Sequence, residues 1–87
     1  MAEGITIDME RVYVLVDIER TKQDVVISAL GKIPGVVRVD PVTGEHDLVV
    51  VVDGEELPKL LGTVIKMLRD VDGVKDTETL VVINPPK

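Results

Sequence analysis

At 87 residues the chain is a single domain near the lower size limit for folding alone, because a domain this small buries only ~60% of the surface its unfolded chain exposes. Hydrophobic residues at 45% and charged residues at 30% belong to a folded protein and not to a disordered tail. A net charge of -6 and a pI near 4.6 oppose direct nucleic-acid binding, in which Lys and Arg neutralise phosphates, and the absence of cysteine removes disulfides and thiolate chemistry.

Residues 1–10 are an N-terminal extension whose Ile5-Thr6-Ile7-Asp8-Met9 has the alternation of a short strand. Its start, Met1-Ala2-Glu3-Gly4, is acidic where a signal peptide is basic. No apolar run approaches the ~20 residues of a membrane span, so a soluble, cytoplasmic protein without membrane contact is expected.

Val12, Val14, Val16 and Ile18 alternate with Tyr13, Leu15, Asp17 and Glu19, the period of a first strand. Thr21 is placed to cap a helix in which Val25, Val26, Ala29, Leu30 and Ile33 share one side, and Pro34-Gly35 stops it. Residues 36–42 are extended, with Arg38 and Asp40 on one side and Val37 and Val39 on the other.

The polar run Thr43-Gly44-Glu45-His46-Asp47 reverses the chain into Leu48-Val49-Val50-Val51-Val52, which is apolar on both faces. Asp53-Gly54 ends that strand. A second helix begins near residues 55–57, since Pro58 is tolerated only in a first turn, and its stripe runs Leu57, Leu60, Leu61, Val64, Ile65, Leu68 and Val71 to a stop at Gly73. A fourth strand is expected over residues 77–83, again apolar on both faces at Leu80-Val81-Val82-Ile83, and Pro85-Pro86-Lys87 forms a tail that cannot extend a ladder.

The two halves echo each other: Ile33-Pro34-Gly35-Val36 answers Val71-Asp72-Gly73-Val74, 38 residues on from Gly35 to Gly73. The order strand, helix, strand, strand, helix, strand predicts an α+β, ferredoxin-like βαββαβ sandwich over residues 11–84, with a four-stranded antiparallel sheet and both helices on one face. The second sheet face then needs a cover. In so small a chain the candidate is a second copy, as in proteins of the dimeric α/β barrel type, so a homo-oligomer is expected.

Catalysis has little to work with. Ser28 lies inside a helix with no base at a recognisable spacing, and His46 is the single histidine. Glu45, His46 and Asp47 are consecutive and diverge, and no second His or Cys completes a metal site. Tyr13 alone cannot provide the stacking platform of an RNA-binding sheet. The chain is therefore expected to be no enzyme and to carry no metal or cofactor.

From Tyr13-Val14-Leu15-Val16 through Ile33-Pro34-Gly35-Val36, Val42-Thr43-Gly44-Glu45-His46-Asp47-Leu48 and Gly73-Val74-Lys75-Asp76-Thr77-Glu78-Thr79-Leu80-Val81-Val82, the chain resembles the effector domain of the Lrp/AsnC transcription regulators, also called the RAM domain. The most specific points are the Gly-x-x-Asp turn, Gly44 to Asp47, and the Thr-x-Thr of Thr77 and Thr79. One departure is that only about ten residues precede the first strand, too few for the family's helix-turn-helix domain, which suggests a stand-alone effector domain. The resemblance implies a free amino acid as effector, bound near the Gly-x-x-Asp turn. It also implies sheet-to-sheet dimers, often gathered into rings of dimers. A full-length Lrp/AsnC-type regulator is then a candidate partner, without nucleic-acid binding by this chain.

The residues so marked are Gly44, Glu45, His46, Asp47, Thr77 and Thr79. Gly44 allows positive φ and close approach of backbone N–H groups to a carboxylate, although an ordinary hairpin glycine meets the same description. Asp47 suits an ammonium group, and equally a turn cap. Glu45 and His46 fit ligand contacts or solvated turn residues, and Thr77 and Thr79 offer hydroxyls or simply favour a strand. Two other readings use the same pattern: a purely structural oligomerisation module, and a small enzyme of the dimeric α/β barrel type.

Overall fold

The computed structural model describes residues 9–83. The suggested strand at residues 5–8 and the tail at 85–87 lie outside the described residues, and Met9 is in no strand. The first strand, β1, spans Glu10–Ile18 and leads through a 3-10 turn, Arg20–Lys22, into helix α1, Gln23–Gly31. Strands β2, Val36–Pro41, and β3, Leu48–Gly54, follow as a hairpin. Three contiguous stretches, Leu57–Lys59, Leu60–Val64 and Ile65–Arg69, form one helix, α2, and β4 runs Val74–Val81.

The sheet has the order β2-β3-β1-β4 and every neighbouring pair is antiparallel. This is the arrangement of two interleaved split βαβ units, as the sequence predicts. Val12, Val14, Val16 and Ile18 of β1 and Leu48, Val50 and Val52 of β3 are buried against Val26, Leu30 and Ile33 and against Leu60, Ile65 and Leu68 of α2. The core is therefore aliphatic throughout.

The internal echo holds at the level of hydrogen bonds. Gly35 and Gly73 both adopt positive φ, +98° and +101°. Val36 donates to the carbonyl of Ile33 at 3.0 Å, and Val74 to that of Val71 at 3.1 Å. Each glycine carbonyl then accepts from the other half, Gly35 from Asp53 N–H at 2.9 Å and Gly73 from Glu19 N–H at 2.8 Å.

Several local expectations need correction. Thr21 caps nothing; it sits inside the 3-10 turn, and Lys22 occupies the α1 N-cap without a side-chain bond. Val25 is 69% exposed, because Val26, Leu30 and Ile33 form the buried seam and Val25 precedes it by a turn of ~100°. Leu61 is 42% exposed. The stretch Leu60–Val64 is a π-turn, closed by Ile65 N–H donating to the Leu60 carbonyl. That five-residue step puts Leu60 and Ile65 on one face and turns Leu61 away. A bulge at Val37 interrupts the β2–β3 register, so Val37 does not share the inward side with Val39. The fourth strand starts at Val74, three residues before Thr77, and stops at Val81.

The helices leave the opposite sheet face open. Its centre is apolar: Tyr13 lies across from Val51 on one side and Leu80 on the other, with Leu15 across from Val49. For β3 the expectation of two apolar faces is right. For β4 it holds at Leu80 and Val81, where the strand ends, while Asp76 and Glu78 before them make the rest of its open face acidic. Around the centre, Arg11 holds Asp53 with two bonds of 2.7 and 2.8 Å, and Arg38 holds Asp40 at 2.7 Å. The hydrogen bonds to Asp53 push the Arg11 guanidinium further toward its protonated form, against a smaller opposing effect of desolvation.

Candidate functional site

The β2–β3 turn lies at the end of the sheet where β1 gives way to the 3-10 turn. Val42 N–H donates to the Asp47 carbonyl at 3.0 Å and closes the turn. Gly44 has φ +115° with nothing within 4 Å of where a Cβ would stand, so backbone conformation alone explains a glycine there.

Asp47 joins the turn to β1 twice. Its N–H donates to the Val16 carbonyl at 3.0 Å, and its Oδ2 accepts from Ile18 N–H at 2.9 Å. The β1–β3 ladder stops at the pair Val16 and Leu48, which leaves Ile18 without a β3 residue opposite. The carboxylate of Asp47 takes the place of that missing residue. Its Oδ1 faces Arg20 Nε at 3.7 Å, a loose ion pair with a guanidinium that is 85% exposed.

Two open concavities flank the turn. The larger, about 660 Å³, is lined by Asp17, Ile18, Glu19, Arg20, Thr21, Glu45, Asp47, Lys75 and Asp76. The smaller, about 330 Å³, is lined by Arg20, Gln23, Pro41, Val42, Thr43, Gly44 and Asp47. Arg20 and Asp47 belong to both. Cations and carboxylates thus meet at one surface, the chemistry needed to hold the two charged groups of a zwitterion.

Of the six residues marked in the sequence, Gly44, Glu45 and Asp47 line these concavities. His46 does not; its Nδ1 lies 3.1 Å from Asp17 Oδ1 and its Nε2 3.6 Å from Glu78 Oε1. Thr77 and Thr79 stand across from Val16 and Val14, on the helix-facing side of the sheet, and line neither concavity. Arg20, Lys75, Asp17 and Asp76 were missed. The available signal was Arg20, a cation in the acidic run Asp17-Ile18-Glu19-Arg20 at the exit of a strand. Among the described residues no group of three His, Asp or Glu side chains is placed to hold a metal, and no helix is long and apolar enough to cross a membrane.

The family described as the Lrp/AsnC ligand binding domain matches residues 11–87. An uncharacterised HTH-type transcriptional regulator of Pyrococcus horikoshii, PH0140, is 32% identical over 75 residues, which are 86% of this chain and 48% of the regulator. A similar regulator of Pyrococcus abyssi is 29% identical over the same share of each. The chain thus spans about half the length of the curated relatives it matches.

Among solved structures, TTHA0845 of Thermus thermophilus is 27% identical with a TM-score of 0.79, covering 90% of this chain and 98% of that one. AsnC of E. coli, at 17% identity, shares the fold with a TM-score of 0.80 over 100% of this chain and 58% of its own. The transcriptional regulator NMB0573 of Neisseria meningitidis, solved as an L-Met complex, is 19% identical with a TM-score of 0.76 over 95% of this chain and 55% of its own. The family is a regulatory ligand-binding domain, not an enzyme family. With a match that runs over residues 11–87, the chain belongs to the Lrp/AsnC ligand binding domain family.

Proposed function

We propose that the chain is a non-catalytic effector-sensing module that binds a free amino acid beside the β2–β3 turn. The observation that carries this reading is the larger concavity, where Arg20 and Lys75 stand among Asp17, Glu45 and Asp76 on a family scaffold built for ligands. Its volume is within the ~300 to 1,000 Å³ range of small-molecule sites. The α-carboxylate is assigned to Arg20 and Lys75, and the ammonium group to the carboxylates that line the same concavity. The L-Met complex of the Neisseria regulator supports an amino acid as the ligand class.

The second part of the proposal is assembly. The open face carries Tyr13, Leu15, Val49, Val51 and Leu80 in one cross-strand block, and burying it against a second copy removes apolar area from water. Dimers through this face, joined into closed rings, are the expected state. With a net charge of -6 the chain is expected to reach transcription through a partner such as a full-length Lrp/AsnC-type regulator, not through DNA.

A thermal-shift screen against the twenty amino acids tests the ligand. One or a few should raise the melting temperature by several degrees, since ligand at ~100 times Kd adds ~2.7 kcal/mol. No shift with any amino acid would favour a purely structural assembly module. One observation supports that second reading: the Asp47 carboxylate is already engaged by Ile18 N–H. Light scattering after size exclusion tests assembly, and a monodisperse monomer at micromolar concentration would refute it.

A further inference from the structure

We infer that His46 is a proton-operated control on the face-to-face pairing of two copies, with protonation of its ring favouring the pair. This rests on the assembly reading above. His46 belongs to the turn, yet its ring lies between carboxylates of two strands, Asp17 on β1 at 3.1 Å from Nδ1 and Glu78 on β4 at 3.6 Å from Nε2. A neutral imidazole has one N–H, so it can donate to only one of them and must turn a lone pair toward the other. An imidazolium donates to Asp17 and faces Glu78 as a loose ion pair, so its charge offsets both acids.

Both carboxylates are part of the open face. The alternation that directs Tyr13 and Leu15 outward also directs Asp17, and Leu80 shares its side with Glu78 and Asp76. At the other end and along β2 the acids are neutralised one to one, Asp53 by Arg11 and Asp40 by Arg38. Among the described residues Asp17, Asp76 and Glu78 have no Lys or Arg partner. Of the remaining charges nearby, Arg20 pairs with Asp47, Lys75 and Glu45 border the larger concavity, and among the described residues neither cation forms an ion pair with the three. Pairing two copies brings two such acidic ends out of water, and a charged His46 in each reduces the repulsion and the desolvation cost.

Histidine ordinarily changes charge between pH 5 and 8, and this chain has one. The test is sedimentation equilibrium at fixed low ionic strength, at pH 7.5 and pH 6.0, on the wild type, His46→Gln and Glu78→Gln. The wild-type dimer should tighten by about three- to tenfold on acidification, as two partly exposed charge pairs allow. His46→Gln should lose that dependence, and Glu78→Gln should reduce it. Where association is too tight to dilute, the exchange of differently labelled subunits reads the same effect as a rate. Equal pH dependence in wild type and His46→Gln would overturn the inference while leaving the dimer standing. A monomer at every pH and concentration would instead remove the assembly reading, and this inference with it.

Discussion

Replacing Asp47 by Ala should unfold the end of β1 before it affects any ligand. Ile18 is 3% exposed, and its N–H has the Asp47 carboxylate as partner at 2.9 Å where the ladder to β3 has already stopped. Leaving that donor unsatisfied costs ~1 to 3 kcal/mol. The ion pair with Arg20 adds little, because the guanidinium is exposed and 3.7 Å away. A loss of ~2 kcal/mol is the expected value, equivalent to ~8 to 16 °C in melting temperature for a domain of this size. Asp47→Asn keeps an acceptor oxygen and should lose ~1 kcal/mol or less. Urea unfolding of both variants at two protein concentrations separates this loss from any change in association, and amide exchange at Ile18 locates it. If Asp47→Ala unfolds within ~0.3 kcal/mol of wild type, the carboxylate is not what holds the strand end, and its assignment as a stand-in for a strand residue is wrong.

Gly73→Ala should destabilise by ~2 kcal/mol or more in urea, because φ is +101° and the added Cβ would meet Val26 Cγ2 at 2.6 Å, whereas Gly44→Ala, strained in φ but facing open space, should lose about 1 kcal/mol. Arg20→Ala should weaken binding of the best amino acid tenfold or more by calorimetry, the value of a charge-assisted bond of ~1.5 to 3 kcal/mol, and Thr79→Val, on the far side of the sheet, should leave affinity unchanged. Tyr13→Asp should convert the assembly to monomers in light scattering with the circular dichroism of the fold retained, since Tyr13 sits between Val51 and Leu80 on the open face. A variant that still assembles would place the interface elsewhere.

The fold was legible where the signal is local. Alternation along Val12 to Ile18, the glycine after each helix and the valine run of β3 all act within a few residues. The errors fall where a neighbour decides. Leu61 belongs to the apolar stripe by spacing, but the π-turn moves it out of phase. Thr21 has the right side chain for a cap, yet the chain enters α1 through a 3-10 turn that places the cap at Lys22. The site was legible only as a turn. Gly44 and Asp47 are marked by type and spacing, while the partners of Asp47 and His46 are 29 residues away and no sequence spacing specifies them.

The interleaving of the two halves has a consequence for how the molecule comes apart. Neither half holds a pair of adjacent strands, because β1 lies between β3 and β4, and β3 lies between β2 and β1. The two glycine carbonyl latches likewise cross from one half to the other. A fragment cut at the turn would therefore hold two strands that are not neighbours in the sheet and one helix with nothing to lie on, and would have no reason to keep its shape. The chain is thus a single cooperative unit despite its repeat, each half serving as the template on which the other becomes ordered, with no half-folded species to accumulate.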